Sequence, residues 1–198
     1  MTGAGPAAGQ ECGAGLLDRA IGYAVGVAGE VAPELLPRPT PCRGWDLEML
    51  LRHANESLAA LHEGIGAGRV GVVPAAAEGE PAADLARIFR DRADRLRSVW
   101  ASAGRRRRVV YIAGCPLAAG VMEGVAALEI AVHGWDMSQA CGHGRPIPQP
   151  LAADLLTLAP LLVPETGRHP LFAAPAAVQA GAGSGDRLTA FLGRTRQA

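Results

Sequence analysis

The residues with the clearest chemical potential are Glu129 and His133, which stand four positions apart in the segment Glu-Ile-Ala-Val-His. On a helix, residues with this spacing lie one turn apart on the same face. A carboxylate and an imidazole arranged in this way can bind one metal ion. The neighbouring residues are apolar, and an unpaired polar group would cost free energy there. The pair alone is a weak indication of metal, because a hydrogen bond on a helix surface uses the same spacing.

A second histidine, His53, ends the segment Leu-Leu-Arg-His in a different amphipathic stretch. Its apolar neighbours predict that it faces the core or the edge of the core. Taken alone, a histidine in such a place is more often a hydrogen-bonded core residue than a ligand. Two imidazoles and one carboxylate from two helices of a bundle would nevertheless form an open site, in which water or a substrate takes the remaining positions.

Two further side chains are candidates for a role in such a site. Asp136 follows His133 by three residues and should face a similar side of the helix. It is predicted to be catalytic as a general base or to support the histidine, and the alternative is an ion pair with an arginine. Cys42 lies in a proline-rich connection beside Arg43. Three roles are considered for it: a nucleophile, a fourth metal ligand, or a small buried residue of the core.

Helical periodicity predicts the elements that carry these residues. The second predicted helix begins at Asp46 and is ended by the segment Gly64 to Gly68. The other predicted helices cover residues 16–31, 82–103, 117–141, 150–162 and 187–192. Asp46 is expected to cap the second helix, and the prolines from Pro33 to Pro41 should end the first. Residues 109–112, Val-Val-Tyr-Ile, are β-prone and predict a short strand or an extended linker. The chain is therefore expected to be mostly helical.

The composition limits the classes of function. The chain has 198 residues, of which 49% are hydrophobic, and a formal net charge of zero. This is enough for one domain, expected to span residues 1–198, with a flexible N-terminus (1–14) and a C-terminal extension (163–198) packed on the bundle. Neutrality argues against a general affinity for nucleic acid or for an anionic membrane surface. All 19 basic residues are arginine, so the chain has no lysine for Schiff-base chemistry.

Location and surface features complete these expectations. No apolar stretch approaches the ~20 residues of a membrane span. The four cysteines form no Cys-x-x-Cys pair, and the N-terminus does not resemble a signal peptide, so a reduced, cytoplasmic protein is expected. The run of four arginines at residues 105–108 is interpreted as a solvated turn rather than a phosphate site. Its role, like the role of Cys115, is left open.

Four segments carry a resemblance to a known family. They are residues 40–46 (Thr-Pro-Cys-Arg-Gly-Trp-Asp), 50–53 (Leu-Leu-Arg-His), 128–142 (with His-Gly-Trp-Asp) and 187–194 (ending Phe-Leu-Gly-Arg). In order and spacing they resemble the DinB-like metal-binding proteins, in particular the N-terminal domain of mycothiol-dependent maleylpyruvate isomerases and its single-domain relatives. The resemblance implies an all-α fold, a DinB-like four-helix bundle with extra C-terminal helices.

The resemblance also implies a ligand set and a chemistry. His53, Glu129 and His133 stand at the family's metal positions and would hold a divalent metal ion, zinc in the first place, with nickel, iron or manganese as alternatives. Mycothiol is implied as a possible cosubstrate. The full-length isomerases have a second domain that supplies an active-site arginine. This chain is expected to be too short to hold that domain, so maleylpyruvate isomerisation itself is not expected.

The resulting functional hypothesis is a metal-dependent enzyme that transfers mycothiol to, or isomerises, a small organic electrophile, in secondary metabolism or detoxification. A second hypothesis is a thiol-independent hydrolase, lyase or cyclase that acts on a small metabolite through the same metal. A third is a non-enzymatic module that binds metal or a ligand, since fold does not fix function. The expected partner is a small-molecule substrate, and neither nucleic acid nor a membrane is expected as a partner. A homodimer is a possible oligomeric state.

Overall fold

The structure is a computed structural model, and it describes residues 15–70, 79–104, 109–112, 114–164, 166–168 and 172–195. Two sequence predictions fall on other residues. The expected flexibility of residues 1–14 and the solvated turn expected at the arginine run, residues 105–108, lie outside the described residues.

Helices form most of the described chain. They are α1 (Leu16–Ala28), α2 (Leu47–Ala67), α3 (Leu85–Val99), α4 (Ala119–Ala140), α5 (Gln149–Leu162) and α6 (Ser184–Phe191). The first four form a bundle in which α1 and α2 each pack against both α3 and α4. Helix α5 lies against α4 and α1, and α6 lies against α5. This architecture confirms the predicted all-α fold, a four-helix bundle with extra C-terminal helices.

Local chemistry explains where the site-bearing helix α2 begins and ends. The Asp46 carboxylate accepts a hydrogen bond of 2.8 Å from the Met49 amide, which confirms the predicted cap. At the other end, Gly68 adopts a left-handed conformation with φ of 76° and donates its amide to the Gly64 carbonyl. Among the described residues, no helix combines the length and the apolar character that crossing a membrane requires.

A small three-stranded sheet joins the end of α2 to the start of α4. Its strands are β1 (Arg69–Val70), β2 (Val109–Ile112) and β3 (Cys115–Ala118), and β2 pairs parallel with β1 and antiparallel with β3. The predicted strand at residues 109–112 is confirmed. The predicted helix start at residue 117 is wrong, because Leu117 pairs with Val110 across the hairpin. Helix α4 therefore begins only at Ala119.

Helix α4 crosses α1 closely at a glycine. A Cβ atom placed on Gly134 would lie 3.1 Å from both the Cα and the Cβ of Ala24, and 3.2 Å from Cε1 of Tyr23. Backbone atoms of a packed helix cannot move aside easily. Gly134 directly follows His133, so this close crossing lies next to a candidate site residue.

We expect Gly134→Ala to destabilise the protein. Overpacking costs about 1–3 kcal/mol, and a helix gains ~1 kcal/mol when alanine replaces glycine. Because the clash at Gly134 includes the backbone of Ala24, we expect the cost to be the larger of the two. Gly124→Ala is the matched control on the same helix, since its Cβ would lie 3.5 Å from Cδ1 of Leu158, an ordinary contact. Urea denaturation should give opposite signs for the two variants. Equal gains in the free energy of unfolding would contradict the close crossing.

Candidate metal centre

Helices α2 and α4 bring His53, Glu129 and His133 together. One potential ligand atom from each side chain lies within 4.8 Å of the other two. Nε2 of His53 is 3.3 Å from Oε1 of Glu129, and the rings of His53 and His133 meet edge to face with centroids 5.1 Å apart. The structure thus places on one side of the α2–α4 seam the three residues that the sequence singled out as metal ligands.

Glu129 is held as a carboxylate by its neighbours. Burial acts to raise its pKa, but hydrogen bonds from His53 and Ser57 and the charge of the nearby imidazoles outweigh burial and lower the pKa to about 2. The Ser57 hydroxyl donates to Oε1, the same oxygen that faces His53. Ser57 stands four residues after His53, so the helical spacing that linked Glu129 to His133 could also have identified it.

The inner side of the centre contains an ion pair between Arg194, which is mostly buried, and Asp136, which is fully buried. Oδ2 of Asp136 lies 3.0 Å from Nδ1 of His133, and Nε of Arg194 lies 2.9 Å from Oδ1 of Asp136. Burial acts to raise the pKa of Asp136, but Arg194 and His133 together lower it. An ionised carboxylate only accepts hydrogen bonds, so Nδ1 of His133 carries the proton, and Nε2 is the ring nitrogen left for a metal ion.

Cys42 contacts this ion pair rather than packing as a purely apolar residue. Its Sγ lies 3.2 Å from Oδ2 of Asp136 and 3.5 Å from Nη2 of Arg194. Burial and the Asp136 charge raise the pKa of the thiol to about 12, although Arg194 acts in the opposite direction. At neutral pH Cys42 is therefore a thiol that donates to Asp136, and it is not the thiolate that a nucleophile requires.

Cys42, His133 and Asp136 form a second group, whose potential ligand atoms also lie within 4.8 Å of one another. Asp136 in this group is already paired with Arg194, and a metal ion here would be repelled by the adjacent guanidinium. In the group of His53, Glu129 and His133, the carboxylate of Glu129 pairs with a histidine instead of an arginine, and it is ionised. Of the two groups, it is the one suited to a cation.

The outer side of the centre is open to solvent. The side chains of His53 and Glu129 are 37% and 33% exposed, whereas that of His133 is 12% exposed. The ring of Trp45 lies against His53 with centroids 4.9 Å apart and covers one side of it. Two imidazoles and one carboxylate, reachable from solvent, match the donors of catalytic sites for zinc and similar ions, so the residues present fit a divalent metal.

The other histidines and cysteines of the described chain lie elsewhere. His62 and Cys115 are exposed, Cys141 is buried, and Nδ1 of His143 lies 2.7 Å from Oε2 of Glu30. The contact that sequence reasoning missed is the one from Arg194. It stood in the resembling segment 187–194, but no helical spacing connects a residue so far along the chain to His133.

Comparison with known proteins gives one match. Residues 17–138 match the family model described as the mycothiol maleylpyruvate isomerase N-terminal domain. No curated protein and no solved structure matches the chain. The matched span contains Cys42, His53, Glu129, His133 and Asp136, and it ends before Arg194.

Proposed function

The chain belongs to the mycothiol maleylpyruvate isomerase N-terminal domain family, and on that premise we propose that it is a metal-dependent enzyme that transfers mycothiol to, or isomerises, a small organic electrophile. The observation that carries the proposal is the convergence of His53, Glu129 and His133 on an open side of the bundle. Family membership supports the link with mycothiol, and the donor set supports the metal.

In this proposal His53, Glu129 and His133 hold the metal ion, zinc in the first place. A bound ion of this kind favours the thiolate over the thiol near neutral pH and polarises a carbonyl oxygen of a substrate. Ser57 fixes the carboxylate of Glu129 by its hydrogen bond. The exposed side of His53 and Glu129 is the direction from which a substrate approaches.

Asp136 has a supporting part in this proposal. It was predicted to be catalytic, but its carboxylate is fully buried and already accepts from His133 and Arg194. Its lowered pKa also makes it a weak base. We therefore propose that Asp136 positions His133 and keeps the proton on Nδ1, rather than removing a proton from a substrate.

The protonation of Cys42 favours a thiol nucleophile that comes from a cosubstrate instead of from the protein itself. Cys42 is the cysteine that lies against the centre in the described chain, and its pKa of about 12 keeps it protonated. The chain has no lysine that could act in its place. A nucleophile in this centre is thus best supplied by a cosubstrate, which agrees with the mycothiol link of the family.

We expect turnover to require both metal and mycothiol. Purified protein is loaded with Zn²⁺, dialysed and analysed for bound metal, and then assayed with a panel of small electrophiles, with and without mycothiol. One equivalent of zinc and thiol-dependent consumption of an electrophile would support the proposal. Turnover that is independent of mycothiol would favour the hydrolase, lyase or cyclase alternative. Protein that keeps no metal after loading would overturn the proposed function.

A further inference from the structure

We propose that Arg194, in the segment after α6, is a positioning residue of the metal centre and that it fixes the orientation of His133 through Asp136. The proposal rests on the function proposed above for its metal, while its geometry can be tested in metal-free protein. It concerns a part of the chain that lies beyond the matched span of residues 17–138.

The contacts form one continuous path. Nε of Arg194 lies 2.9 Å from Oδ1 and 3.0 Å from Oδ2 of Asp136, and Oδ2 lies 3.0 Å from Nδ1 of His133. The Asp136 side chain is fully buried and the Arg194 side chain is 11% exposed. A buried carboxylate is costly without a cation beside it, so Arg194 is what allows an ionised Asp136 to stand behind the histidine.

The position of Arg194 is set by the way α6 ends. Gly193 has φ of 76°, its amide donates to Ala190, and the amide of Arg194 donates to Thr189, both at 2.9 Å. These are the two hydrogen bonds of a Schellman motif. A Cβ atom on Gly193 would lie only 2.7 Å from the carbonyl oxygen of Ala173, so glycine is needed both for the left-handed backbone and for the close approach.

Arg168 ties this end of α6 to the preceding segment. Its guanidinium donates to the carbonyls of Pro164, Ala173 and Phe191 and lies 5.0 Å from the ring centroid of Phe191. Arg168 is itself buried. Arg168 therefore contacts both the carbonyl and the ring of Phe191, the last residue of α6. Arg194 follows three residues later, so the backbone that carries it is well anchored.

The experiment compares Arg194→Met with Arg97→Met. Arg97 is the matched control because it pairs with Asp18 and Asp94 on the α1–α3 side of the bundle. The first readout is the hydrogen-bonded Nδ1 proton of His133, observed by NMR in metal-free protein labelled with ¹⁵N-histidine. The second is the dissociation constant for Zn²⁺, measured by competition with a chelator. We expect Arg194→Met to lose the proton signal and to bind zinc about 10–100-fold more weakly, while Arg97→Met keeps both.

A second variant, Gly193→Ala, substitutes no side chain of the centre but should displace the segment that carries Arg194, because the new Cβ would clash with Ala173. It should weaken zinc binding and alter the same proton signal, so it decides the question if Arg194→Met does not fold. Either folded variant with a wild-type proton signal and a zinc dissociation constant within about twofold of wild type would overturn the proposal. If wild-type protein binds no zinc, the proposed function fails, and the NMR signal still decides the role of Arg194.

Discussion

Replacing His133 by alanine is expected to weaken the binding of Zn²⁺ by more than about a hundredfold. Loss of a partner behind a metal-binding histidine already costs about 10–100-fold in affinity, and loss of the histidine itself removes a ligand as well as its support. In this protein His133 lies between both halves of the centre, with His53 against its ring and Asp136 at Nδ1. The remaining His53 and Glu129 would hold an ion from the exposed side only.

The affinity is measured by chelator competition, and the bound metal by elemental analysis after dialysis. His62→Ala is the matched control, because His62 is an exposed histidine on α2, the helix that also carries His53. Zinc content and affinity should be unchanged in that variant. A His133→Ala protein that folds and retains one equivalent of zinc with wild-type affinity would show that the ion, if any, is bound elsewhere.

The helices were predictable because their signals are local. Periodicity and the Asp46 cap placed α2 correctly, and the β-prone residues of β2 were recognised from their types. The start of α4 was predicted two residues early because Leu117 pairs with Val110, and that pairing depends on another segment of the chain. Similarly, α1 ends at Ala28 rather than at residue 31, since Ala32, the residue before Pro33, is extended and the chain has left the helix by then.

The candidate site divides in the same way. Glu129 and His133 share one helix face, so their spacing alone placed them together. The link from His53 to this pair depended on a resemblance, because contacts between helices leave no periodic trace in a sequence. Cys42 and Arg194 are linked to Asp136 by contacts that span 94 and 58 residues, and single-sequence patterns contain no information about such distances.

The structure also separates the two carboxylates of α4 by environment. Glu129 is partly exposed, and its neighbours are two imidazoles and a hydroxyl. These surroundings suit the binding of a cation. Asp136 is fully buried, and a guanidinium already neutralises it. About two turns of helix thus separate a carboxylate whose surroundings suit a cation from a carboxylate that is already neutralised. This division explains why Asp136 fits a positioning role better than a catalytic one.

A second large effect, on the stability of the protein, is expected at the ion pair of Asp136 and Arg194. Asp136→Ala should lower the free energy of unfolding by about 3–5 kcal/mol, because it leaves the Arg194 guanidinium buried without its counter-charge. Urea denaturation in the presence of a chelator measures this without any contribution from bound metal. Asp154→Ala is the control, since it removes a more exposed ion pair with Arg19 and should cost about 0–1 kcal/mol.

A double-mutant cycle separates the ion pair from the packing of Asp136. If the cost of Asp136→Ala comes from an unpaired charge, adding Arg194→Met removes that charge, and the double variant should be more stable than the sum of the single losses predicts by about 0.5–3 kcal/mol. Additive losses would instead assign the effect to a cavity. The cycle therefore tests whether the charge of Arg194, beyond its volume, holds Asp136 in place behind His133.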